Sequence, residues 1–327
     1  MITTDIQEHS PEWHAIRSRH IGGSEIAGLF GVQAEYQMSA YTLFMVKSGR
    51  IPPPPVDHSP GSRVWFGTRL EAQIAGMAAE IYGWTISKGG YCIDDTTPGM
   101  ACSLDFVIDE PGEEERLLGF SGPGVLQIKN IDMIQRKRAW NSDEPPYPVL
   151  LQLQHEIACL GASWGVIAGM VGGNQLPAYR YAARPRTIAL IRERVGEFWQ
   201  RVADQRPPSV DGSNSTAEAL AVLYPSLEDN LPIDLSNDNE MPEICAGLLV
   251  ATADRKSAEA NEQSYKNRLA EKMAGHKRAI CTGFSINGVF TQANPGKRAG
   301  DLPADEIIGK RKASVWYKVK EYLGVAA

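Results

Sequence analysis

The sequence predicts an α/β protein, and three observations carry that expectation. Short apolar runs of strand length, bounded by turn residues, occur at 100–108 and 124–130. Apolar residues recur at helical spacing over 64–82 and 149–161. The two patterns follow one another along the chain, and a further buried strand is expected at 163–172, ending in Gly172-Gly173.

The first two runs, Met-Ala-Cys-Ser-Leu-Asp-Phe-Val-Ile and Gly-Val-Leu-Gln-Ile-Lys-Asn, read as a β-hairpin. Asp105 lies on its first strand, and Gln127 and Lys129 lie on its second. Side chains two apart on a strand share a face, so Gln127 and Lys129 project together while Ile128 turns into the core. With Asp105 across the pair, that face carries a carboxylate, an amide oxygen and an ammonium. Hard divalent cations such as Mg²⁺ take oxygen ligands. A lysine beside one can orient or deprotonate a water. The spacing is loose, and an amphipathic hairpin with a polar outer face fits it equally well.

Upstream, Ser10-Pro11 reads as a helix start, with Trp13 and Ile16 facing the core. Gly22-Gly23 breaks that helix, and Ser24 reads as the N-cap of the next one. Free N–H groups there would favour a phosphate, with Arg17 close enough to reach it. A plain helix–turn–helix with a serine cap accounts for the same residues. Residues 51–62 are Pro-rich loop. Residues 64–82 form a helix ending before Gly83, with Leu70, Ile74, Met77, Ala78 and Ile81 on its apolar stripe. Glu71 sits at the stripe's edge, where a lone glutamate is more often solvated than a ligand. Residues 84–94 read as one strand.

Arg136, Lys137 and Arg138 precede Trp140 as a basic cluster, suited to DNA backbone contact or to a solvated helix face. In the helix 149–161, Leu150, Leu153 and Ile157 share a stripe, Gln152 and His155 lie on another, and Gln154 points elsewhere. A strand at 178–182 and an amphipathic helix at 187–202 follow. Residues 206–243 are acidic and rich in Pro, Ser and Asn, and read as a linker or surface loop. A long charged helix (244–277) and a hairpin turning at Asn287-Gly288 come next. A basic loop with Lys297 and Arg298 then leads to a last strand or helix at 314–323. The expected domains are 1–205, the linker 206–243 and an α+β extension 244–327.

The chain has 327 residues and a net charge of −6, which hides any local basic groove. No apolar run is long enough to span a bilayer, and the N-terminus lacks the basic-then-apolar order of a signal peptide. A cytosolic location and no membrane partner are expected. The five cysteines include no Cys-x-x-Cys pair, which argues against a zinc or iron–sulfur site and for reduced thiols.

In order along the chain stand Trp13-His-x-x-Arg17, Ile21-Gly-Gly-Ser24-Glu25, Phe66-Gly-x-x-x-Glu71 and Ala101-Cys-Ser-x-Asp105. Gln127-Ile-Lys129-Asn130, Gln152-Leu-Gln154-His155 and Gly172-Gly173 follow. This order resembles the YqaJ-type viral recombinase family, which includes the phage lambda exonuclease, over about residues 8–205. The resemblance implies a PD-(D/E)xK restriction-endonuclease-like core, a mixed β-sheet flanked by helices. It implies a Mg²⁺-dependent 5′-to-3′ exonuclease, with Mn²⁺ able to substitute and two ions in the site. The substrate would be linear double-stranded DNA with 5′-phosphate ends.

Residue by residue, the resemblance gives Asp105 as the shared metal ligand and Lys129 as the catalytic lysine. Glu71 would be the helix carboxylate near the metals, and Ile128 would offer its backbone carbonyl. Arg17 and Ser24 match the 5′-phosphate pocket, and Gln152, with Gln154 beside it, matches the DNA-binding positions. Gln127 stands where the family usually has glutamate, and Val149 where many relatives have tyrosine. The resemblance further implies a homo-oligomer (a ring trimer), a single-strand annealing protein as partner, and a phage or prophage origin. Two alternatives stay open: a catalytically weak DNA-end-binding protein, and an endonuclease on the same fold.

Overall fold

Serines set several of the helix starts. Ser10, Ser39, Ser62 and Ser213 each accept a backbone N–H three residues on with their hydroxyl. The computed structural model describes residues 2–4, 10–134, 136, 140, 144–226, 233–291 and 314–321. Within these, the helices are α1 (Pro11–Arg17), α2 (Ile26–Leu29), α3 (Ala40–Lys47), α4 (Arg63–Tyr82) and α5 (Glu113–Leu117). They continue with α6 (Tyr147–Leu160), α7 (Pro185–Ala203), α8 (Asn214–Leu223) and α9 (Met241–Met273). The strands are β1 (Ile2–Thr4), β2 (Thr85–Lys88), β3 (Tyr91–Ile93), β4 (Ala101–Ser103), β5 (Phe106–Glu110) and β6 (Gly124–Ile131). β7 (Trp164–Val171), β8 (Ala178–Ala182), β9 (Arg278–Cys281), β10 (Phe284–Thr291) and β11 (Ser314–Glu321) complete them.

A five-stranded sheet ordered β2-β5-β6-β7-β8 forms the centre of the first unit, Met1–Glu228. It is mixed: β6 and β7 pair in parallel and the other neighbours antiparallel. The parallel pair requires a crossover, and α6 lies in it. Alternation along β6 divides its side chains between two cores. Leu126 and Ile128 pack with Ile74, Ala75 and Ala78 of α4, while Val125 joins Leu153 and Ile157 of α6. Helices therefore flank both faces, as the sequence predicts, and Ile128 turns away from Gln127 and Lys129. Gly165 on β7 lets α6 lie close, because a Cβ there would stand 2.9 Å from Leu153 Cδ1.

Several expectations are corrected. Residues 84–94 are not one strand. The chain breaks at Gly89-Gly90, so that β2 joins the central sheet and β3 pairs with β1 and β4 in a second one. A Cβ on Gly89 would lie 2.2 Å from the Leu104 carbonyl oxygen, a close approach only glycine permits. The buried stripe of α4 is Ile74, Ala75 and Ala78, whereas Leu70, Met77 and Ile81 are exposed. Residues 214–223, read as linker, are helical. The Thr216 hydroxyl bonds Ser39, and Thr42 donates to the Ser215 carbonyl, docking α8 on α3.

The second unit is Asp229–Ala327. It holds the long helix α9 and a three-stranded antiparallel sheet ordered β11-β10-β9. Its hairpin turns at Thr282-Gly283, where Gly283 has φ +81°, and not at Asn287-Gly288. Those two residues lie inside β10, which pairs on both sides. The last element is a strand. Lys297 and Arg298, and Lys137 and Arg138 of the basic cluster, lie outside the described residues, while Arg136 donates to the Trp140 carbonyl. Among the described residues, no helix is long and apolar enough to cross a membrane.

Candidate active site

Asp105 occupies the bend where the chain leaves β4 for β5. Because β5 begins only at Phe106, opposite Leu126, no strand residue is left to accept the Ile128 N–H. The Asp105 carboxylate takes it instead, Oδ2 at 2.8 Å. This bond holds the carboxylate beside β6, one position past the paired register and alongside Gln127. Burial pushes the Asp105 carboxyl up to about 6. The Lys129 ammonium opposes that rise, and the charge of Glu71 adds to it.

Lys129 Nζ donates to Gln152 Oε1 at 3.2 Å. The Gln152 amide in turn donates to Glu156 Oε1 at 2.8 Å, one helical turn further along α6. Gln127, fully buried under α6, points its Nε2 to the same Glu156 oxygen at 3.5 Å. Its own Oε1 finds no hydrogen-bond partner among the described residues. Glu156 is buried, and burial, followed by the charge of Asp105, pushes its carboxyl up to about 8. Glu71, on α4, pairs with Lys88 of β2 at 2.8 Å, and the Lys88 ammonium lies 4.8 Å from the Phe106 ring centroid.

The loop after α1 closes the site from another side. Gly23 lies directly on α6: a Cβ there would be 3.0 Å from Glu156 Oε1 and 3.2 Å from Gln152 Cγ. Glu25 Oε2 accepts the Gly22 N–H at 2.8 Å and pairs with Lys47 at 3.0 Å. Lys47 also donates to the carbonyls of Arg17 and His20. The loop is thus tied down by a buried ion pair. The Arg17 guanidinium stacks 4.5 Å from the Trp13 ring centroid and reaches toward Gly22.

The structure brings together Asp105, Gln127, Lys129 and Gln152, with the electrostatic reach of Glu71 and with Arg17 across the glycine loop. It does not place two residues as expected. Ser24 is exposed but caps no helix: the N-cap of α2 is Glu25, whose side chain makes no capping bond to that helix, and α2 is only four residues long. Gln154 is buried and both ends of its amide bond backbone, donating to the Ala182 carbonyl and accepting the Arg184 N–H. It ties α6 to the β8–α7 connection and is turned into the protein. Sequence reasoning missed Glu156. Its signal was the four-residue spacing from Gln152, which puts both on one helix face.

The donor set suits a hard divalent cation. Asp105, Glu156 and Glu71 offer carboxylates, and an orphaned, buried amide oxygen on Gln127 lies between α6 and β6. The charge of Asp105 adds to the rise of the Glu156 carboxyl, and that of Glu71 to the rise of Asp105, as expected of carboxylates gathered with little positive charge among them. Among the described residues, no three His, Cys, Asp or Glu side chains form a ready metal cluster.

The chain resembles known proteins in sequence and in structure. Residues 12–163 match the family model of the YqaJ-like viral recombinase domain. The uncharacterized protein YqaJ of Bacillus subtilis (strain 168) is 24% identical over 231 residues, which are 70% of this chain and 67% of that one. Among solved structures, the alkaline exonuclease LHK-Exo of Laribacter hongkongensis aligns over 60% of this chain and 94% of its own, with TM-score 0.47 and 18% identity. LHK-Exo in complex with dAMP gives the same values. The motifs from Trp13 to His155 fall inside the segment, residues 12–163, that matches the model of the YqaJ-like viral recombinase domain.

Proposed function

We propose that the chain is a Mg²⁺-dependent 5′-to-3′ exonuclease that digests linear double-stranded DNA and leaves 3′ single-stranded tails for recombination by strand annealing. The observation that carries this reading is the convergence of Asp105, Gln127 and Lys129 on one side of β6 under Gln152. Asp105, Gln127 and Glu71 would hold the cation with the Ile128 carbonyl, and Mn²⁺ would substitute. When bound, two such ions supply electrophilic stabilisation of the phosphate and an acidified water. Lys129, held by Gln152, orients that water. Arg17 receives the 5′-phosphate at the glycine loop, with the backbone around Ser24, and so keeps the end in register after each cut. The same reading includes a ring-shaped homotrimer around the duplex and a single-strand annealing protein that takes up the tail.

The test is degradation of linear duplex DNA with Mg²⁺, comparing 5′-phosphorylated ends, 5′-hydroxyl ends and closed circles. Rapid loss of the phosphorylated strand alone is expected. Nicking of circles would show an endonuclease instead. Tight end binding without cleavage in either Mg²⁺ or Mn²⁺ would favour the end-binding protein, a reading that the neutral Gln127 supports.

A further inference from the structure

Glu156 is expensive where it stands. It is 3% exposed, and among the described residues its carboxylate bonds two amide donors, Gln152 and Gln127, and no cation. A glutamine or an apolar residue would serve the packing of α6 without that cost. The position is also tightly walled, since the Gly23 backbone leaves no space for even a methyl group without displacing Glu156 Oε1. Beside it, the fully buried Gln127 leaves its Oε1 unpartnered. A cation bonded by both would answer two anomalies at once: a buried carboxyl with no ion pair of its own among the described residues, and a buried amide oxygen without a partner.

We infer that Glu156 is a metal ligand, the second carboxylate of the divalent-cation site, which α6 supplies because position 127 on β6 carries a neutral amide. This rests on the metal-dependent reading of the site and extends it by naming the residue that gives the charge. Gln127 contributes its amide oxygen, and its Nε2 holds the Glu156 carboxylate in place. Gln152 acts through its neighbours, positioning Glu156 on one side and Lys129 on the other.

The test is isothermal titration of the full chain with Mn²⁺, for wild type, Glu156→Gln and the double variant Gln127→Glu/Glu156→Gln, with thermal melts to verify folding. Wild type should bind. Glu156→Gln, which keeps the shape and removes the charge, should bind on the order of 10–100-fold more weakly. The double variant returns the charge to β6 and should regain most of the affinity. Its cleavage of linear DNA should recover in parallel. Equal Mn²⁺ affinity in wild type and Glu156→Gln overturns the assignment of Glu156 and leaves the metal site standing. A folded double variant that regains nothing also overturns it. Absence of Mn²⁺ binding by wild type overturns the metal-dependent reading itself.

Discussion

Lys129 Nζ and Gln152 Oε1 lie 3.2 Å apart, so the lysine of β6 is aimed by a side chain of α6. An ammonium on a four-carbon stem has many rotamers, and this bond selects one of them. Lys129→Ala should lower DNA degradation by about 10²–10⁴-fold while end binding survives. Gln152→Leu should cost less, about 10–100-fold, because the ammonium is still present but no longer aimed. A nuclease assay beside a gel-shift measurement with 5′-phosphorylated duplex separates the two steps. Full activity in Lys129→Ala would remove lysine from the mechanism.

A side chain at Gly23 should disturb the residues of α6 beneath it. Its φ is not the reason; the methyl of Gly23→Ala would crowd Glu156 Oε1 and Gln152 Cγ. Either the loop carrying Gly22 moves off α6 or those side chains shift. We expect a stability loss of about 1–3 kcal/mol by thermal melt. Cleavage should fall further than that loss explains, because the displaced side chains are those that hold Lys129.

Gln154 is structural, and its removal should show it. Gln154→Leu leaves the Arg184 N–H and the Ala182 carbonyl without their partner. Denaturant unfolding should report a loss of about 1–3 kcal/mol. Affinity for DNA ends, measured well below the transition, should not change. A selective loss of DNA affinity at full stability would return Gln154 to the binding surface.

Asp94 gives the fold a defined acid sensitivity. Its buried carboxylate accepts two bonds from Arg192, at 2.7 and 3.2 Å, and caps the turn through the Thr96 and Thr97 N–H groups. Burial works against ionisation, but the hydrogen bonds from Thr96 and Arg192 outweigh it and hold the carboxyl below the usual range. A depressed folded pKa means stability that is present above the unfolded value of about 3.9 and is lost as pH falls through the folded one. Asp94→Asn should therefore destabilise by about 1–3 kcal/mol near neutral pH. The gap between variant and wild type should close below about pH 4, as urea titrations across that range would show.

The sequence by itself determined what depends on local period and local punctuation. Ser10, Ser39 and Ser62 start helices wherever a hydroxyl can reach the N–H three residues on, and Gly83 ends α4 in the left-handed region. The two-residue period of a strand put Gln127 and Lys129 on one face and Ile128 on the other. It could not show that the strand expected at 84–94 breaks, because the cause is a contact between Gly89 and Leu104 in another part of the chain. Nor could it show that Asn287-Gly288 would be absorbed into a paired strand.

The grouping was legible as far as β6 reaches: Asp105, Gln127 and Lys129 share a face by the hairpin pattern, whereas a role for the Ile128 carbonyl came only from the family resemblance. Only the tertiary structure decided which residues of α6 join them. The packing of Leu153 and Ile157 over Gly165 sets the roll of that helix on the sheet. That roll turns Gln152 and Glu156 toward Gln127 and Lys129, and leaves Gln154 to the backbone at Ala182. The roll of a helix against a sheet is fixed by the side chains of both, and neither segment specifies it alone.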